Sequence, residues 1–256
     1  MSISSSQINP QAQMGAFGRA KELQKKILFV LFALIVYRLG TFVPIPGIDS
    51  KVFQEIFSQN SGGLLGMFDM FVGGAVQRMS IFALGVMPYI SASIIMSLLT
   101  AVNPTLEQLK KDGGEQGRQK INQYTRYGTV FLATLQGYGL SVGLENMMGP
   151  SGSAVIEPGL FFRVTTVITI VGGTLFLLWL GEQITQKGIG NGISLIIFAG
   201  IVANLPSAVA GTLELARTGA FSPFFVIALI IFIILIFSFI VFMERAQRKV
   251  FVQYPK

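Results

Sequence analysis

The chain has 256 residues, 52% of them hydrophobic and only 12% charged, with a mean hydropathy of +0.64 and a formal charge of +7. A water-soluble domain carries about 25% charged residues, so at half that density the chain cannot cover a globule with polar surface, and its main solvent is lipid. Cysteine and histidine are both absent, which excludes disulfides, thiolate chemistry, histidine acid–base work and the common zinc sites.

A helix rises about 1.5 Å per residue, so crossing the hydrocarbon core takes about 20 apolar residues. Six stretches are predicted to do so. The first covers 27–43 and has Arg38 inside it. The second covers 80–102 and stops at Asn103-Pro104. The third covers 127–147, and the fourth covers 161–181 with the single tryptophan, Trp179, near its end. The fifth covers 192–209. The sixth, 221–243, is a nearly unbroken Phe/Ile/Leu/Val run and the strongest signal. The first apolar run starts too late, and lacks the small-residue site, for a cleavable signal peptide. Residues 1–20, rich in Ser, Gln and Gly, are expected to be a flexible cytosolic tail.

Orientation follows from lysine and arginine. With the N-terminus inside, fourteen of the nineteen basic residues fall in inside segments and four outside, with Arg38 in a span. That bias predicts both ends inside.

Residues 62–74 form an apolar stretch of only about 13 residues, bracketed by glycine pairs. At about 1.5 Å per residue it is too short to span. A re-entrant helix and an amphipathic helix lying on the outer surface fit it equally well.

No catalytic set is visible, so neither an enzyme nor a cofactor is expected. Arg38 is the clear ionisable residue inside a span, and it either snorkels or bonds a neighbouring helix. Glu182 ends span four within reach of water. The segment Gly188-Ile-Gly-Asn-Gly-Ile193-Ser resembles a phosphate loop, but the strand that such a loop requires is missing. It reads as a tight inside turn in which Asn191 or Ser194 caps the fifth helix.

Depth singles out four aliphatic residues. Ile193 and Ile197 lie 6 and 10 residues beyond Lys187, roughly 9 and 15 Å along a helix; Val86 and Ile90 lie 8 and 12 residues beyond Arg78, roughly 12 and 18 Å. Both pairs fall near the midplane of a core about 30 Å thick, and i,i+4 spacing puts each pair on one helix face. For arbitrary aliphatic residues in a span, ordinary helix or lipid packing is the stronger explanation, and spacing alone does not lift these four above it.

Four longer stretches carry more information: Phe42-Val-Pro-Ile-Pro-Gly-Ile-Asp49, Gly73-Gly-Ala with Ser80-Ile-Phe-Ala-Leu-Gly-Val-Met-Pro-Tyr-Ile-Ser-Ala-Ser-Ile-Ile95, Asn122-Gln-Tyr-Thr-Arg-Tyr-Gly128, and Trp179-Leu-Gly-Glu-Gln-Ile-Thr with Gly188-Ile-Gly-Asn-Gly-Ile-Ser194. In order and spacing, from about Lys21 onward, they resemble the SecY family, the pore-forming subunits of the bacterial Sec protein translocase. The resemblance implies an all-α, polytopic transmembrane helix bundle. Its first inverted-repeat half would occupy 21–209, with a plug at about 62–74, and 210–256 would supply a sixth span and the start of a cytosolic loop.

By position in the motifs, the resemblance makes Val86, Ile90, Ile193 and Ile197 members of an aliphatic pore ring. Val86 is smaller than the isoleucine common there. The short segment, with Leu64, Leu65, Gly66, Met67, Phe68, Asp69, Met70 and Phe71, becomes a re-entrant plug whose flanking glycines permit hinge motion. Asp69 stands where relatives often carry a neutral amide. Span two would form one edge of a lateral gate open to membrane lipid. Implied partners are SecE and SecG, the SecA ATPase or a ribosome, signal peptides and unfolded preproteins; no direct nucleic-acid binding is expected. Lys110, Lys111, Arg118, Lys120, Arg245, Arg248 and Lys249 are the candidate cytosolic contacts, though ordinary positive-inside charge accounts for such residues too. The family has ten spans, so the second gate edge and two ring members are not in this sequence, which reads as a truncated chain or half of a split assembly. The implied function is a protein-conducting channel of the bacterial cytoplasmic membrane. A secondary transporter would need polar groups at the midplane, and a non-conducting scaffold is the third reading.

Overall fold

A computed structural model describes residues 10–60, 64–149 and 152–246. It is helical, in the order α1 (Pro10–Gly40), α2 (Ser50–Asn60), α3 (Leu64–Val72), α4 (Met87–Val102), α5 (Pro104–Lys111), α6 (Gly114–Glu145), a two-stranded hairpin of β1 (Met148–Gly149) and β2 (Gly152–Ser153), α7 (Leu160–Lys187), α8 (Gly192–Arg217) and α9 (Pro223–Arg245). The backbone separates into two units, Met1–Asn204 and Leu205–Lys256.

Among the described residues, three helices, α7, α8 and α9, are long and apolar enough to cross a membrane. α4 and α5 make a fourth candidate as a pair bent by 99°. The bend falls at Asn103-Pro104, as expected. Proline cannot continue a helix, and the Asn103 side chain accepts from the Thr105 N–H at 3.0 Å to start α5. α1 and α6, at 31 and 32 residues, contain the first and third predicted stretches together with charged flanks. α1 begins at Pro10, so the backbone of residues 10–20 continues the helix where a tail was expected.

In the first unit, α6 packs between α4 and α7 through small buried residues at i,i+4 intervals: Thr125, Thr129, Ala133, Gly137 and Ser141. Small side chains let helix backbones approach in a medium where burial from lipid gives little driving force. The Pro-rich segment 43–49 threads between two loops. The Ile45 N–H donates to Met79 O and the Ile81 N–H to Val43 O, both at 2.9 Å, while the Ile156 N–H donates to Gly47 O at 3.0 Å. These bonds satisfy backbone groups that would otherwise be buried bare. Glu145, at the end of α6, receives the Arg163 guanidinium at 2.6 Å and the Gly159 N–H at 2.9 Å, closing the hairpin onto α7.

One start differs from expectation. Ser80 pairs with Pro44 in an isolated β-bridge, residues 81–86 form successive turns, and helix α4 begins only at Met87, with Pro88 in its first turn. Proline has no N–H to give to an interior turn, and Gly85 at φ +53° takes a conformation that side chains disfavour.

In the second unit, α9 starts at Ser222, whose Oγ accepts from the Phe225 N–H at 3.3 Å. Among the described residues none buries any position of its candidate spanning window, and the helix is apolar on every side.

Candidate functional site: an apolar cavity beside a short helix

Three of the four predicted ring residues and the C-terminal end of the segment predicted as a plug border one cavity of about 280 Å³. Val86 and Ile90 enter it from the start of α4, and Ile196 and Ile197 from α8. Leu177 of α7, Tyr37 of α1, and Phe71 and Val72 of α3 complete most of the wall. None of the described lining residues is charged. Val86 is buried at the N-cap of α4, where its carbonyl accepts the Ile90 N–H at 3.1 Å. The two residues therefore sit at a helix end rather than on the wall of a continuous span.

Ile193 is placed differently. It packs partly buried against the same apolar cluster and lies against Gly181. The open space it borders is a second, polar cleft of about 260 Å³ shared with Tyr89, Asn122, Arg126 and Glu182. Arg126 and Glu182 pair there at 2.6 Å, tying α6 to α7. Asn191 makes the predicted cap: its Oδ1 accepts from the Ile193 and Ser194 N–H groups at 3.1 and 3.3 Å.

Ile196, Tyr37 and Leu177, like Gly85 and Met87, line the wall without having been singled out by the sequence. Ile196 is 2% exposed and centres the buried line Gly192, Ile196, Gly200 of α8. The i,i+4 glycines on either side of it were the available signal. Tyr37 stacks on Phe82 at 6.1 Å between centroids and donates its hydroxyl to Val72 O at 3.1 Å.

The segment expected as a plug forms α3, nine residues long. Met67, Phe68, Met70 and Phe71 are exposed and Asp69 is buried; the backbones of Leu64 and Leu65 are helical, with Gly66 following. Asp69 Oδ1 accepts the Gln77 N–H at 2.8 Å and its carbonyl accepts the Gly74 N–H at 3.0 Å, folding the chain back after the helix. Arg38 bonds a neighbouring element, one of its two expected fates. It donates to Gly73 O at the C-terminal end of α3, where Arg78 also donates at 3.0 Å. Among the candidate cytosolic contacts, Lys110, Lys111, Arg118 and Lys120 are exposed on α5 and α6 and Arg245 is exposed at the end of α9; Arg248 and Lys249 lie outside the described residues.

The family model for SecY matches residues 80–256. The chain belongs to the SecY family. The protein translocase subunit SecY of Escherichia coli K12 is 54% identical over 246 residues, covering 96% of this chain and 54% of that protein. The SecY of Rickettsia typhi is 54% identical over 237 residues, covering 93% of this chain and 54% of its own length. The chain thus spans about half the length of these SecY relatives. Among solved structures, Sec61 in the canine ribosome–channel complex from the endoplasmic reticulum shares the fold, with a TM-score of 0.55 at 19% identity over 89% of this chain and 49% of that one. The helical bundle is therefore a SecY-type membrane fold.

Proposed function

We propose that this chain supplies the first half of a protein-conducting channel that passes unfolded secretory polypeptides across the bacterial cytoplasmic membrane and membrane proteins laterally into it. The carrying observation is the uncharged cavity where α4 and α8 meet, with α3 against its wall. An apolar constriction gates by dewetting and binds no ion, and aliphatic packing is undirected enough to accommodate varied side chains. In this reading Val86, Ile90, Ile193 and Ile197 form the first half of the pore ring, and Leu64 to Phe71 form the plug. The division into a half over 21–209 and a sixth span over 210–256, with a cytosolic tail over 1–20, belongs to the same proposal.

The remaining assignments follow from charge. The lysine and arginine bias puts the N-terminus in the cytosol. The basic residues of α5, α6 and the end of α9, with Arg248 and Lys249, would face the SecA ATPase or a ribosome. SecE and SecG would complete the assembly around the bundle. Signal peptides would leave along α4 toward lipid.

A secondary transporter is the weaker reading. Its substrate site needs polar groups at mid-membrane, and the one hydroxyl in this wall, on Tyr37, is occupied by Val72 O. The test uses photo-cross-linkers at Val86 and Ile193 in the full-length protein. A stalled secretory chain should be trapped at both. Protection by a small solute alone, with no polypeptide adduct, overturns the channel.

A further inference from the structure

The glycines after α3 were expected to permit hinge motion, yet the Gly73 backbone is held by two side-chain bonds and a close backbone approach. Its carbonyl accepts from both Arg38 and Arg78. Arg78 also donates its Nε–H to Thr41 O at 3.2 Å. The Phe42 ring lies beside both guanidiniums, at 5.4 Å from Arg38 and 4.4 Å from Arg78. Two like charges this close repel. They are tolerated because the C-terminal end of a helix carries partial negative charge on its free carbonyls, and because an aromatic face attracts cations.

The space that a side chain would take at the same residue is closed by Gly200 backbone and by Arg38 Nη1. A Cβ on Gly73 would lie 2.9 Å from Gly200 Cα, and a Cβ on Gly200 would lie 2.6 Å from Phe71 O and 3.1 Å from Tyr37 Oη. At φ +70°, Gly73 is also in the left-handed region. α1, α8 and the turn after α3 therefore converge on one peptide.

We propose that Arg38 and Arg78 are positioning residues that hold α3 over the apolar cavity by gripping Gly73 O, making Gly73 the fixed end of the segment rather than its hinge. This rests on reading α3 as the plug of the proposed channel. Each guanidinium contributes a charge-assisted bond to one carbonyl. Arg78 uses two donors of its planar fork at once, Nε to Thr41 O and Nη2 to Gly73 O, a geometry that a lysine ammonium cannot reproduce. The grip holds α3 where it lies, because displacing its C-terminal end takes the shared acceptor away from both cations.

The chain has no cysteine, so one introduced thiol reports alone. Val72→Cys places it at a buried position at the end of α3, and Ile170→Cys provides a buried control on α7. Maleimide labelling is timed on the full chain in lipid nanodiscs. Arg38→Met with Arg78→Met should speed labelling at position 72 by about tenfold or more, the scale of losing a charge-assisted bond, with position 170 unchanged. Arg38→Lys should recover most of the protection and Arg78→Lys much less. Gly200→Ala should release position 72 without altering any charge. Labelling at 72 within about twofold of the parent in the double variant, or an equal rise at 170, overturns the proposal. Conductance of the full-length channel separates the two readings. Released α3 with parental conductance keeps the grip and removes the plug. Protected α3 in the double variant, with leak raised by Ile90→Ser, keeps the channel and removes the grip.

Discussion

Ile196→Ala tests which face of α8 lines the cavity. Ile196 is 2% exposed and touches the cavity, whereas Phe198, two residues on, is 60% exposed on the other side. Truncating a buried isoleucine to alanine costs about 2–5 kcal/mol. The lower end applies here because the cavity of about 280 Å³ already leaves Ile196 without contact atoms on one side; a loss of about 2 kcal/mol is expected. In a domain of 150–250 residues that lowers Tm by about 4–8 °C. Phe198→Ala trades lipid contact for lipid contact and should stay within about 0.5 kcal/mol. The assay is thermal unfolding in lipid nanodiscs, followed by the fluorescence of Trp179, the single tryptophan, whose ring lies 5.8 Å from that of Phe176. If Ile196→Ala costs no more than Phe198→Ala, the orientation of α8 derived above is wrong.

Three further outcomes are expected. In the full-length channel, Ile90→Ser with Ile197→Ser should raise ion leak more than Ile90→Ser with Ile193→Ser, because Ile197 borders the cavity and Ile193 the polar cleft; equal leak in planar bilayers would count against that difference. The hydrogen bond from Lys111, followed by its charge, holds the Glu107 carboxyl below the usual carboxylate range. A lowered folded-state pKa stabilises fully above the unfolded value, near about pH 4.3, and the contribution is lost as pH falls through the folded value. Amide protection factors in α5, which divide out the intrinsic pH dependence of exchange, should accordingly be insensitive to the pair's titration at neutral pH and fall in acid, and Glu107→Gln should abolish that response; an unchanged acid response refutes it. Thr166 Oγ1 is buried with no hydrogen-bond partner among the described residues, so Thr166→Val should be neutral or stabilising by up to about 1 kcal/mol, and a clear loss in the Trp179 melting curve would reveal a partner.

Much of this molecule was legible because lipid simplifies the grammar. Apolar length marked the helices, proline after asparagine marked the break between α4 and α5, and Asn191 before a glycine marked the start of α8. The misreadings came where apolar character and helicity part company. Residues 80–86 are as apolar as a span, yet they fold as a bridge residue and turns, and Pro88 together with Gly85 carried the signal. Two isoleucines at i,i+4 gave a face of α8 but not its centre. The centre is the line Gly192, Ile196, Gly200, about one helical step away, and only the glycines record it. The contacts of Arg38 and Arg78 with Gly73 join positions 35 and 5 residues apart, and neither periodicity nor composition encodes such a meeting.

The turn structure before α4 changes what sets the width of the cavity. A residue in mid-helix is positioned by its own helix axis, but Val86 stands at an N-cap and is positioned by the turns leading to it. Those turns are pressed onto α7 at Gly173, where a Cβ would lie 2.1 Å from Ile81 O. On the far side, α8 is pressed onto the end of α3 at Gly200. Backbone contacts of this kind have little slack, because they involve no rotamer that can yield. The apolar side chains facing the cavity can repack around whatever enters, while the frame carrying them is fixed by two glycine approaches. In the proposed channel, a compliant lining on a stiff frame would admit varied side chains and return to one closed shape, the combination that passage of an unfolded polypeptide requires.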